Sequence, residues 1–296
     1  MENAMSLTLP GPLVSTAWLA EHLDEPGLIV LDGSYKLPGV LPVAADDYAE
    51  RHIPGARFFD IDRIADTSSP LPHMLPAAED FERFAGALGL SNDSVIVVYD
   101  WPGLMSAGRV WWTLRVFGHV NVAVLNGGLR KWLAEGRAVT AELPTYDKAR
   151  FHAWYNASLV RSKDEIIGNL RTRGEQIIDA RSAPRFNGDE KEVRPGLRPG
   201  HIPQSLNLPF TELTDPQTGE LKSMEAIRSA FETAGLDFSK PVIASCGSGV
   251  TAGALAFGLY LAGKTNVAVY DGSWSEWGLP GDTPVDTGPA SRGPRE

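Results

Sequence analysis

PVIASCGSGVTAGALAFGLYLAG, residues 241–263, is the longest uncharged run in the chain, and the rest can be read outward from it. By length alone it could span a membrane. Pro241, Ser245, Gly247, Ser248 and Gly249 interrupt it, so it reads instead as a short strand ending at Ser245, a small-residue loop opened by Cys246, and a buried helix from about Val250. Gly247 and Gly249 let the backbone curl so that its N–H groups point inward. The helix N-terminus adds positive potential at the same place. A cysteine so placed is expected to have a lowered pKa and to act as a nucleophile, rather than to be an inert buried thiol. Two other readings of the stretch are weaker. Gly247 to Ala252 formally matches a dinucleotide fingerprint with Asp271 beyond it, but only 25 residues follow Asp271. A cysteine-phosphatase loop needs an arginine for bidentate phosphate binding, and CGSGVTA contains none.

The chain repeats itself. LIVLDGS (28–34) matches QIIDARS (176–182), HIPGARFFD (52–60) matches HIPQSLNLP (201–209), VIVVYD (95–100) matches VIASCG (242–247), and VAVLNGGLRKW (122–132) matches VAVYDGSWSEW (267–277). So long a period means duplicated domains rather than a solenoid. In each copy short β-branched runs alternate with helical stretches such as AEDFERFAGALG and MEAIRSAFETAG. That alternation predicts an α/β fold of two domains, each a mostly parallel sheet flanked by helices. The join falls in the polar segment 141–159, which gives domains of 1–150 and 151–296. The Pro- and Gly-rich tail after Pro280 is expected to be mobile.

Composition narrows the function. With 43% hydrophobic and 22% charged residues the chain can bury a full core. A formal net charge of -10 disfavours nucleic-acid binding. The start, MENAMSLTLPGPLVS, lacks the basic and apolar regions of a signal peptide. A single cysteine allows no internal disulfide. A cytoplasmic protein without membrane contact is the expectation. The six histidines show no zinc-type spacing, so no metal or other cofactor is expected.

CGSGVTA (246–252), DARSAPRFNG (179–188), RPGHIP (198–203), YDGSWSEW (270–277), HIPGARFFDID (52–62) and HMLP (73–76) together resemble the tandem rhodanese-type sulfurtransferases, over nearly the whole chain. Within that family the loop is most similar to the branch that uses 3-mercaptopyruvate. Thiosulfate-preferring members carry basic residues after the cysteine, whereas Gly247 and Ser248 stand here.

The resemblance implies an active site between the domains, with chemistry in the second only, because the position matching Cys246 in the first copy is Asp100. It implies that Cys246 carries sulfur as a persulfide inside the loop of Gly247, Gly249, Val250 and Thr251. Arg185 and Arg194 match the arginines that hold the donor carboxylate. Ser248, His73 and Asp62 match a proton-delivering Ser–His–Asp arrangement. The implied acceptor is a thiol, such as reduced thioredoxin, or cyanide. Asp179 is expected either to buttress the cysteine loop or to be purely structural, His52 and His201 to share a structural role, and Trp111, Trp112, Trp274 and Trp277 to belong to the core.

Overall fold

In the computed structural model, residues 7–290 are described. The first half runs β1 (Leu13–Val14), α1 (Thr16–His22), β2 (Leu28–Asp32), α2 (Ala44–Glu50), β3 (Arg57–Phe58), α3 (Ala78–Ala87), β4 (Val95–Tyr99), α4 (Ala107–Val116), β5 (Val122–Leu125) and α5 (Gly128–Ala134). The second runs β6 (Val160–Arg161), α6 (Lys163–Thr172), β7 (Gln176–Asp179), α7 (Ala183–Asn187), β8 (Leu206–Asn207), α8 (Met224–Thr233), β9 (Val242–Ser245), α9 (Val250–Leu261), β10 (Val267–Tyr270) and α10 (Ser273–Trp277). Strand order is β1-β5-β4-β2-β3 in one sheet and β6-β10-β9-β7-β8 in the other, with parallel pairing throughout. The two orders are the same, as a duplication requires. VIVVY and VIAS are the central strands and are buried along their whole length, because helices cover both faces of a parallel sheet.

The halves meet through α4 and α9, the helices that follow Asp100 and Cys246. Their backbones touch. A Cβ added at Gly108 would lie 2.7 Å from the Ala254 backbone, and one at Gly253 would lie 2.6 Å from Arg109 N. Trp111 packs edge-on against Phe257 with ring centroids 5.0 Å apart, and one apolar core runs through both sheets. This explains why ALAFGL carries no polar face: α9 has its own sheet on one side and α4 on the other. No described helix is long and apolar enough to cross a membrane.

The paired HIP histidines do share a role. His52 Nδ1 bonds Tyr48 O and His201 Nδ1 bonds Phe186 O, at 2.7 and 2.8 Å, and each ring stacks on the aromatic residue whose carbonyl it bonds. All four tryptophans named above are buried.

The tail departs from expectation. Residues 281–288 are fastened down. Arg198 donates to Thr283 O, Trp277 Nε1 donates to Pro284 O, His201 pairs antiparallel with Asp286, and Gly288 N–H donates to Asn187 O. Composition misled because this segment needs no core of its own. It supplies backbone carbonyls to donors that would otherwise be buried without partners. Residues 291–296 lie outside the described residues.

Candidate active site

The cysteine loop leaves the carboxyl end of β9, the central strand, where open α/β sheets place their ligands. Cys246 is 1% exposed. Its N–H donates to Ser273 Oγ, and its carbonyl accepts from Trp274 N–H at 2.9 Å. The Gly247 carbonyl accepts from both the N–H and the hydroxyl of Ser275. The YDGSWSEW segment therefore straps the loop in place. The same strap recurs in the first copy, where Leu129 and Arg130 N–H bond the carbonyls of Asp100 and Trp101.

That first copy shows what such a loop holds. The Asp100 carboxylate accepts N–H bonds from Gly103, Met105, Ser106 and Ala107 at 2.7–2.9 Å. Gly103 and Gly249 stand at matching positions, and both have positive φ, 117° and 78°. The cradle is thus built to surround an anion that reaches two atoms beyond Cβ. In the second copy Gly249 opens α9, and the first-turn N–H groups of Val250, Thr251 and Ala252 have no intrahelical acceptor.

Arg185 lies over this loop, its NH2 3.1 Å from where a Gly247 Cβ would stand. Its charge is already shared. Glu192, whose side chain is 3% exposed, bonds Arg185 NH2 at 2.5 Å with one oxygen and Arg181 NH1 at 2.6 Å with the other. Arg185 Nε is buried without a partner among the described residues. The Asp179 carboxylate clamps Arg181, at 2.7 Å, rather than reaching the cysteine loop. Of the two readings of Asp179, the structural one holds and the direct buttress does not: support runs from Asp179 through Arg181 and Glu192 to Arg185.

The first half supplies the opposite wall. His73, 5% exposed, has Nδ1 2.9 Å from Asp62 Oδ1. Burial pushes the His73 pKa down, and the imidazole beside it holds the Asp62 carboxyl below its ordinary value. His73 is therefore neutral and Asp62 ionised near pH 7. Arg194 NH2 lies 3.1 Å from His73 Nε2 and 3.4 Å from the Tyr35 hydroxyl. The Tyr35 ring stands edge-on to the imidazole at 5.0 Å. Tyr35, Asp62, His73 and Arg194 line one cavity of about 450 Å³.

Asp62, His73 and Arg194 are thus brought together, as are Arg185 and Gly247. The Ser–His–Asp arrangement is not assembled. Ser248, 5% exposed, makes no side-chain hydrogen bond among the described residues, and Arg194 occupies the imidazole nitrogen that would serve it. Val250 is buried, and Thr251 is half-buried in the first turn of α9. Reading the sequence alone missed Tyr35, Glu192 and Arg109. Tyr35 follows closely on the end of β2, the position in a parallel sheet that faces a ligand. Glu192 sits between two arginines already singled out.

The family model for the rhodanese-like domain matches residues 15–135 and again 162–279. A 3-mercaptopyruvate sulfurtransferase of Rattus norvegicus is 46% identical over 271 residues, 90% of this chain and 91% of that protein. A thiosulfate sulfurtransferase of Cricetulus griseus is also 46% identical, over 95% of this chain and 97% of that protein. Among solved structures, the crystal structure of the Escherichia coli 3-mercaptopyruvate enzyme superposes with a TM-score of 0.82 at 41% identity, covering 90% of this chain and 99% of that one. Two matched units, one fold in duplicate and relatives spanning nearly the whole length leave a single conclusion: the chain belongs to the rhodanese family, as a tandem pair of rhodanese-like domains.

Proposed function

We propose that this chain is a 3-mercaptopyruvate sulfurtransferase whose sulfur is carried on Cys246. Overall identity does not choose the donor, since relatives named for either donor are equally similar. The observation that carries the choice is that the two residues after Cys246 bring no cation of their own, and the guanidinium that lies over the loop is already paired with Glu192. Gly247 and Ser248 are neutral, while Arg185 and Arg194 reach the cleft from the 183–194 segment. A donor with a single carboxylate suits two arginines supplied by one separate segment. Thiosulfate, a compact dianion, is better served by cations beside the cysteine.

In the first step the Cys246 thiolate attacks the donor sulfur. An S–S bond forms and the C–S bond breaks, with its electron pair left on carbon as the pyruvate enolate. The proton of the donor thiol ends on that carbon, giving pyruvate and an anionic persulfide. The sulfur is oxidised to the sulfane level and the carbon is reduced. The Asp100 cradle supports the reading that N–H groups of the matching loop stabilise the persulfide anion. A bound carboxylate draws Arg194 away from His73 Nε2, which frees that nitrogen to accept from Ser248 and relay the proton. Gly247, Gly249, Val250 and Thr251 form the floor on which the transferred sulfur sits. In the second step a thiol takes the outer sulfur and Cys246 returns as thiolate. Reduced thioredoxin is such a thiol, and cyanide is the small-molecule alternative. A persulfide discharged by thiols suits a reducing compartment such as the cytoplasm.

The test is the intact mass after incubation with mercaptopyruvate, alongside pyruvate release. Wild type should gain one sulfur atom and release pyruvate; Cys246→Ser should do neither. Pyruvate released by Cys246→Ser would end the persulfide mechanism. A wild type that turns over thiosulfate with the higher kcat/KM would refute the donor assignment alone.

A further inference from the structure

Arg109 comes from the first domain, belongs to neither the cysteine loop nor the anion-binding pair, and is 3% exposed. Its guanidinium has three acceptors from three separate segments. NH1 donates to Asp271 Oδ1 at 2.6 Å and to the Gly249 carbonyl at 3.3 Å, and NH2 donates to the His73 carbonyl. The plane also lies 4.6 Å from the centroid of the Trp112 ring. Asp271 completes the clamp, because its second oxygen accepts the Leu75 N–H at 2.7 Å. The segment 73–75 is therefore held at both ends by one ion pair.

Two backbone features depend on that clamp. His73 has φ of 61°, a left-handed conformation that a residue with a β-carbon adopts only when its surroundings impose it. Gly249 has φ of 78°, and a β-carbon there would lie 2.7 Å from Arg109 NH1. The loop that carries Cys246 thus rests on the guanidinium that fixes the His73 backbone. The partners are far apart in the chain: Arg109 belongs to the first domain, and Asp271 and Gly249 to the second.

We infer that Arg109 is a positioning residue for sulfur transfer, setting His73 of one domain against the Cys246 loop of the other through a single guanidinium. The inference rests on the sulfurtransferase reading. It assigns Arg109 no contact with the donor. It makes the closed domain interface a condition of an assembled site.

The test compares Arg109→Met, Arg109→Lys and wild type in the full chain, with kcat, KM and the pH profile of mercaptopyruvate turnover normalised to titrated Cys246 thiol. Both variants should lose about 10- to 100-fold in kcat, since small misplacements in a reacting site cost that much. KM should stay within about threefold, because Arg185 and Arg194 are untouched. Asp62 faces His73 Nδ1, Arg194 faces Nε2, Tyr35 stands at its ring edge and Arg109 holds its carbonyl. Loss of one positive charge from this set should move the acid limb to higher pH in Arg109→Met. Arg109→Lys, which keeps the charge but cannot bridge three acceptors, should restore the limb and not kcat. A residue that served only stability would lower the melting temperature and move neither kcat per thiol nor the limb. Folded Arg109→Met with wild-type kcat and an unmoved limb would overturn the inference. Should Arg109→Met fail to fold, Asp271→Asn carries the same test, and an unchanged kcat there would overturn it equally. A wild type that gains no sulfur from mercaptopyruvate would instead overturn the underlying reading.

Discussion

Replacing Asp100 by asparagine separates what the two matching loops do. Asp100 is fully buried, and its oxygens divide the work unevenly. One accepts Met105, Ser106 and Ala107 N–H at 2.7, 2.7 and 2.9 Å; the other accepts Gly103 N–H at 2.8 Å. Asparagine can keep its oxygen toward the three donors, but its amide group then meets the Gly103 N–H, donor against donor. Three charge-assisted bonds become neutral, at about 1 kcal/mol each, and one buried donor loses its acceptor for about 1–3 kcal/mol. Against this stands the desolvation cost of the carboxylate, which the neutral side chain escapes. The net expectation is a loss of about 2–4 kcal/mol, and more for Asp100→Ala, which strands all four donors. For a domain of this size that lowers the melting temperature by about 5–15 °C. Cys246→Ser, at the matching position, should stay within about 1 kcal/mol of wild type, because its loop is built for an anion it does not permanently hold. Urea denaturation and thermal melts of the three variants at pH 7 measure the contrast. Asp100→Asn within about 1 kcal/mol of wild type would refute the claim that the cradle requires an anion. The argument for persulfide stabilisation in the second copy would fall with it.

Two further outcomes follow from the site. His73 is held below the ordinary histidine value of 6.5, so it is neutral in the folded enzyme at pH 7 and gains its proton only at lower pH. If neutral His73 is the form that relays the proton, the acid limb of kcat/KM lies below pH 6.5. Asp62→Asn, which removes the anion that favours the imidazolium, should move the limb to still lower pH; movement to higher pH would contradict the assigned role. Ser248→Lys should raise the thiosulfate-to-mercaptopyruvate ratio of kcat/KM by about tenfold, as one charge-assisted bond to the dianion is gained. An unchanged ratio would show that the side chain at 248 does not select the donor. Lysine at 248 is the cleaner test than arginine at 247, where a new Cβ would already crowd Arg185 at 3.1 Å.

What could be read without coordinates was what is local. VIVVY and VIAS announce buried parallel strands because helices on both faces leave no polar side to alternate with. The strand, glycine loop and helix around Cys246 occupy consecutive residues, so their geometry is written in order. Three of the failures are of one kind. Glu192 lies in the run DEKEVR, where Asp189, Glu190 and Lys191 are exposed and nothing in the local pattern marks the one acid whose side chain is buried between two guanidiniums. Arg109 sits near the start of a helix, where a charged residue ordinarily faces water; its partners Asp271 and Gly249 are more than a hundred residues away. The tail looked unable to order itself and is ordered by Arg198 and Trp277, which need its carbonyls. Long-range polar satisfaction has no periodicity, so no window of sequence contains it.

The duplication also accounts for the proposed restriction of chemistry to one copy. Both loops are strapped from behind by the segment after the last strand, and both have a positive-φ glycine three residues after the key side chain. A side chain that fills its cradle with a permanent carboxylate has no vacancy into which sulfur can be delivered. One that ends in a thiol leaves the anion-binding positions for the atom it receives. Once the first loop was closed in this way, its domain was free to contribute elsewhere. Its residues Tyr35, Asp62 and His73 line a cavity with Arg194 of the second half, and Arg109 reaches across the interface to the Gly249 carbonyl. An isolated second domain would keep Cys246, Arg185 and Arg194 and lose the imidazole wall together with the guanidinium beneath its loop. The tandem arrangement is therefore a requirement of the proposed site, since His73, Asp62 and Arg109 belong to the copy that carries no cysteine.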